Sequence, residues 1–338
     1  MDRVSTFSLL ASIREVYRKN RTPTSSKYSS TSIIAVPEEI IEIIPHPQAE
    51  FYIQKIISIY TLLSQLTDLS PSPVTNVLFS ELVGTCITIV PESISKVVLS
   101  DPRVSSILPA LREICSTAEA SHRVLSTFPY DKNYEQLTRF ELAAISSTGF
   151  TLSPSTKVAF IGSGPMPLTS LCILSSLSSS NHMSCSLSPD SSIPTLTPPQ
   201  SPMATPTSTV VVNIDSNSTA NEQAQNLCTS LGGLPATGMK FITAMAGEDT
   251  LDLTGYDIVW LAALVGGVQE DKEIILKNIV AKMKKGSLLI MRGAWGLRSV
   301  LYCDFDVTTP AITTCLEICV RMDPFGEVVN SVIVGRVR

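Results

Sequence analysis

Two glycines close a short apolar run in "KVAFIGSGPMPLTSL", residues 157–171, and an acid, Asp215, closes a second such run in "TVVVNID". Gly162 and Gly164 allow the backbone to approach a ligand at the carboxyl end of a strand, and an acid after the next strand suits sugar hydroxyls. A dinucleotide fingerprint would place a third glycine where Pro167 stands, and Pro165 and Pro167 both lack the N–H groups that a pyrophosphate requires. The loop therefore suits a nucleoside without phosphate. S-adenosylmethionine is such a ligand: its carboxylate, amine and sulfonium can be met by Gly162, Ser163, Gly164 and Pro165, and its ribose by Asp215.

The elements that position these residues follow from periodicity. From residue 157 onward, "KVAFIG", "TVVVNID", "KFITAM", "YDIVWLAALV", "GSLLIMRG", "TCLEICVRM" and "VVNSVIVGRV" read as strands, several of them separated by helical stretches. The clearest of these helices is "QEDKEIILKNIVAKMKKG", with acids first, lysines last and Gly286 as its cap. Apolar strands alternating with helices predict an α/β Rossmann-like domain over 151–338, a mainly parallel sheet covered on both faces. Residues 49–150 predict a helical domain, in which Ile53, Ile56, Ile57, Tyr60, Leu63 and Leu66 share one face. Residues 1–48 predict a partly disordered extension. The serine-, threonine- and proline-rich segment 175–209 predicts a disordered insertion, too poor in apolar side chains to offset its ordering entropy.

The chain has 338 residues, 44% of them hydrophobic, and a formal charge of −5. That balance gives no basic field for nucleic acid. No apolar run is long enough to span a bilayer, so a soluble, cytoplasmic protein is expected. Eight cysteines without a C-x-x-C pair, and three histidines, predict buried free thiols in place of a zinc site or disulfides. Neither a metal nor any cofactor beyond S-adenosylmethionine is expected. The sequence does not fix the oligomeric state, and a homodimer stays open.

"KVAFIGSGPMPLTSL", "YDIVWLAALVG", "GSLLIMRGAWGLRSVLY", "VVNSVIVGR" and "FPYDKNYEQLTRFEL" together resemble the nicotianamine synthase family, from about Phe51 to Arg338 with the insertion left out. The resemblance implies a methyltransferase-type sheet and condensation of three S-adenosylmethionine molecules by aminocarboxypropyl transfer, releasing methylthioadenosine. It gives the prolines of the glycine loop a role in shaping the donor site. Two other readings compete: a methyltransferase acting on a small acceptor, and a degenerate Rossmann module that binds a protein partner.

The resemblance assigns the general base to Glu119, in a stretch where the residues alone show only another helix glutamate like Glu113. It also points to Tyr130 and Tyr134, whose hydroxyls can orient carboxylate and amine and whose rings can meet the sulfonium. Asp131 departs from the second aromatic expected after Tyr130, and Trp295 stands where plant relatives are expected to carry histidine. Arg292 and Arg298, after the fifth strand, are expected to hold substrate carboxylates. Glu141 with Arg139 is read as a wall between domains or a helix-surface pair, and Glu248 and Asp249 as adenine-side contacts.

Overall fold

In the central sheet, side chains of the inner strands alternate between two cores. Val158 and Phe160 of β1 (Val158–Ile161) face one core and Ala159 and Ile161 the other. Ile258 and Trp260 of β4 (Ile258–Leu261) oppose Val259 and Leu261 in the same way. This period of two, with both sets apolar, forces the strands into the middle of a three-layer sandwich. The computed structural model describes residues 46–121, 131–179, 210–263, 265 and 268–338, all within one compact unit.

The remaining strands are β2 (Val211–Asp215), β3 (Met239–Thr243), β5 (Leu288–Gly293), β6 (Leu316–Met322) and β7 (Ser331–Val337). Their order is β3-β2-β1-β4-β5-β7-β6. The first five are parallel, and β7 enters antiparallel between β5 and β6. The strand order reverses between β1 and β4, so a crevice opens at their carboxyl ends, where doubly wound sheets bind ligands.

Among the described residues six helices precede the sheet in chain order, of which the first five are α1 (Pro47–Ser64), α2 (Pro73–Cys86), α3 (Glu92–Ser100), the single turn α4 (Pro102–Ser105) and α5 (Leu108–Ser121). Proline opens α1, α2 and α4, where its missing N–H costs nothing, and Ser72 and Asp101 cap the last two. The expected extension therefore ends earlier than residue 48: Pro47 and Gln48 already belong to α1, and His46 Nδ1 accepts the Gln48 N–H at 3.3 Å. Its first 45 residues lie outside the described ones. The α1 face is Ile53, Ile56, Ile59 and Leu63, with Ile57 and Tyr60 at its margin. This helical core also takes in Leu297, Val300 and Leu301 from a 3-10 turn after β5, Gly296–Val300.

The next helix, α6 (Asp131–Ser147), packs on the sheet through Leu137, Ala144 and Ile145, beside α7 (Leu168–Ser179). The insertion expected from residue 175 therefore starts too early, because α7 runs to Ser179 and Leu177 is buried in the sheet's core. Serines 175, 176 and 178 hid this by composition, yet Ile173, Leu174 and Leu177 keep helical spacing. Residues 180–209 lie outside the described ones. Then follow α8 (Ser218–Leu231), the short α9 (Gly233–Gly238), α10 (Gln269–Val280) and the single turn α11 (Pro310–Thr313). Gly286 does not cap α10, which stops at Val280; its φ of +85° instead serves the turn into β5.

Leu177→Ala would test whether the chain packs this far into the serine-rich stretch. It should lower the free energy of unfolding by about 2–5 kcal/mol in urea denaturation. An unchanged midpoint would mean that the end of α7 contributes nothing to the core.

Candidate active site

Gly162 follows β1 at φ +81° and Gly164 at φ +63°, backbone that side chains rarely adopt. A Cβ on Gly162 would also stand 2.7 Å from Val265 Cγ2. Asp215, at the end of β2, reaches back to this turn: one carboxylate oxygen accepts the Gly164 N–H at 2.8 Å and the other the Asn217 N–H at 2.9 Å. Each oxygen retains a lone pair for a ligand hydroxyl.

Above this turn lies a cavity of about 510 Å³, the size range of small-molecule sites. Its lining includes Gly162, Ser163, Gly164, Pro165 and Asp215 together with Glu119, Tyr134 and Arg292, so the structure gathers most of the expected site around one space. Ser163 Oγ and Asn330 Nδ2 are buried in that lining with no hydrogen-bond partner among the described residues. Two unpartnered polar groups in a cavity that reaches Asp215 fit a ligand carrying hydroxyls, a carboxylate and an amine. A smaller chamber of about 110 Å³ shares Glu119, Tyr134, Tyr302 and Asn330 with the main cavity.

Glu119 and Glu113 share α5 but not an environment. Glu113 is solvent-exposed, whereas Glu119 is half-buried and its Oε1 accepts a 2.7 Å hydrogen bond from the Tyr302 hydroxyl. Burial first, then the Glu119 charge and Tyr134, hold the Tyr302 hydroxyl far above its usual range, so it stays a donor. The Glu119 charge, followed by burial, likewise raises Tyr134. Sequence reasoning missed Tyr302: within "SVLYCDF" it reads as one more core aromatic, and only the 3-10 turn carries it to Glu119. Tyr130 lies outside the described residues.

The two arginines have separate fates. Arg292 lines the cavity but its guanidinium is already occupied: Nε and Nη2 donate to the two Glu141 oxygens at 2.7 and 3.2 Å, and Nη2 to Thr169 at 2.8 Å. Burial opposes its charge most strongly, but Glu141 together with Tyr134 and Tyr302 more than offsets it and holds the guanidinium above its usual range. Arg298 does not reach the cavity. It is 1% exposed, stacks 5.5 Å from the Trp295 ring and donates to the carbonyls of Val328 and Gly326. Trp295 donates to Pro324, so both side chains pin the loop before β7, a contact some 30 residues away that sequence position could not show. Arg139 pairs with Glu135 on the α6 surface, apart from Glu141. Glu248 caps its own loop and Asp249 stands 3.7 Å from Lys282; neither lines the cavity.

The family model described as nicotianamine synthase protein matches residues 46–338. The chain belongs to the nicotianamine synthase family. It is 32% identical to nicotianamine synthase of Solanum lycopersicum over 305 residues, 86% of this chain and 84% of the relative. Nicotianamine synthase 9 of Hordeum vulgare is also 32% identical, with 86% and 79% covered. The fold matches that of MtNAS in complex with MTA and tNA, with a TM-score of 0.58 at 18% identity, covering 86% of this chain and 98% of that one. A variant of MtNAS in complex with S-adenosylmethionine gives a TM-score of 0.57 at 18% identity over 85% and 98%. Among the described residues, no helix is long and apolar enough to cross a membrane and no three metal-binding side chains form a group that could hold an ion.

Glu141→Ala would leave Arg292 buried without its counter-charge and should cost about 3–5 kcal/mol in denaturant unfolding. Arg139→Ala, on an exposed pair, should leave the midpoint nearly unchanged. Equal effects of the two changes would contradict the distinction drawn between these neighbouring charges.

Proposed function

We propose that the protein is a nicotianamine synthase, joining aminocarboxypropyl units from S-adenosylmethionine. The single observation that carries this reading is the cavity that joins the glycine turn and Asp215 on one side to Glu119, Tyr134 and Tyr302 on the other. A methyl donor site needs only the first set. A base held beside the donor pocket serves a reaction in which an amine must lose a proton to attack carbon.

The donor's ribose meets Asp215, and its amino-acid end meets the turn Gly162–Pro165 with Ser163 Oγ as a donor. Glu119 accepts the proton of the acceptor's α-ammonium. The freed lone pair attacks Cγ of the donor, the S–Cγ bond breaks with its electrons passing to sulfur, and neutral methylthioadenosine departs. Holding amine and Cγ in line is the main task of the cavity walls, to which Tyr134 contributes its ring and hydroxyl; the same role is proposed for Tyr130, which lies outside the described residues. The sulfonium supplies its own leaving-group activation, so no metal is assigned to the displacement. Two such transfers and one intramolecular closure to an azetidine give the product. A product rich in amines and carboxylates chelates transition metals, which assigns the enzyme to metal homeostasis.

With S-adenosylmethionine as the only substrate, purified protein should accumulate methylthioadenosine and nicotianamine by chromatography with mass detection. S-adenosylhomocysteine as the main nucleoside, or no consumption without an added acceptor, would instead support a methyltransferase. Glu119→Gln should slow turnover by about a hundredfold or more while leaving the fold intact, and near-native turnover would remove Glu119 from the mechanism.

A further inference from the structure

The cations nearest in kind to a carboxylate anchor are spent: Arg292 is neutralised by Glu141 and Arg298 is bound to a loop. Two others are not. Lys272 of α10 is 4% exposed, and among the described residues its Nζ has no hydrogen bond or ion pair; the centroid of the Phe305 ring lies 5.7 Å from it. Arg112 of α5 donates from Nη2 to the Ser299 carbonyl at 2.6 Å, while its Nε is buried with no partner.

Neither lines the cavity itself, but helix geometry and their shared neighbour Cys303 place both beside it. Arg112, Ser116 and Glu119 fall on one face of α5, and Lys272 and Ile275 on one face of α10; Ser116, Glu119, Ile275 and Tyr302 line the cavity. Each cation thus stands one turn beyond a cavity-lining residue of its own helix. Cys303, next to Tyr302, interacts with both, and Asp304, the carboxylate that Lys272 feels, is held by Arg321 at 3.1 Å. Burial pulls both cations below their usual ranges, and Arg112 presses Lys272 down further. Arg112 Nε is a buried charged N–H without an acceptor among the described residues, and beside it Lys272 carries a charge that no described residue pairs, so the two together point to an anion that arrives with a ligand.

We propose that Arg112 and Lys272 form an anion subsite that takes a carboxylate of the acceptor amino-acid chain, a refinement that rests on the aminocarboxypropyl-transfer reading. The subsite adjoins Glu119 through the α5 face that carries Arg112, and Tyr302 through its neighbour Cys303. It therefore fixes the acceptor, and the donor nucleoside does not reach it.

Lys272→Met keeps the apolar stem and removes the charge. Without ligand this variant should melt above the wild type. Malonate, at matched ionic strength against chloride, should raise the Tm of the wild type and not that of the variant. Calorimetry should show nicotianamine bound about tenfold or more weakly by the variant, as expected for one lost charge-assisted contact, with methylthioadenosine changed by less than about twofold. Arg112→Gln, which keeps a donor towards Ser299, should discriminate between the two ligands in the same way. An equal malonate increment in wild type and variant, or methylthioadenosine weakened as much as nicotianamine, would overturn the subsite. Malonate stabilisation through Lys272 in a protein that binds no nicotianamine would uphold the subsite and sink the synthase reading; nicotianamine bound equally by both proteins would do the reverse.

Discussion

A guanidinium cannot be buried at the end of a β-strand without a partner, and the pairing of Arg292 with Glu141 is the constraint around which the rest is arranged. Arg292 is 7% exposed and Glu141 0%, and the pair joins β5 to α6. Thr169, at the start of α7, takes a further N–H, so one arginine fastens the strand and two helices at the mouth of the crevice. Tyr134, on the same helix as Glu141, is thereby held against the cavity. Because the pair is directional and buried, α6 cannot rotate or slide without stranding a charge.

The same constraint sorts the carboxylates. Glu141 is committed to Arg292, and Asp215 to the backbone of the glycine turn. Glu119 is the cavity-lining carboxylate set against a phenol, and it comes from the helical layer rather than from the sheet. In the proposed reaction the donor side is thus built from strand ends, and the acceptor side from α5, α6 and the segment after β5. The apolar contacts of Leu297, Val300 and Leu301 with the helical core fix the turn that delivers Tyr302, so packing in one layer sets the geometry of the Glu119–Tyr302 pair.

Much of this was legible in the sequence because it rests on local patterning. Seven apolar runs gave seven strands, and the proline-interrupted glycine turn already argued against a phosphate. Gly162 and Gly164 take the positive φ that glycine allows, and Asp215 stands at the end of its strand beside their turn. What stayed hidden depends on long-range contacts. Arg292 and Arg298 look alike on either side of "GAWGL", yet one meets a helix glutamate 151 residues away and the other a loop about 30 residues ahead. Tyr302 and Lys272 were invisible for the same reason: a tyrosine in an apolar run and a lysine in an amphipathic helix carry no mark of what will face them. Composition misled at residues 175–179, where serines on the outer face of α7 concealed an apolar face that packs.

The central claim is that Glu119 and Tyr302 act as one unit, the hydroxyl holding the carboxylate in place to receive a proton. A double-mutant cycle on kcat/KM for S-adenosylmethionine consumption, with Glu119→Gln, Tyr302→Phe and the two combined, tests it most directly. Tyr302→Phe alone should slow the reaction by about tenfold, a fraction of what the base contributes. The double variant should be within about twofold of Glu119→Gln, since a positioning group has no effect once its carboxylate is gone. Losses that simply multiply would show that the two residues work independently and would contradict the account.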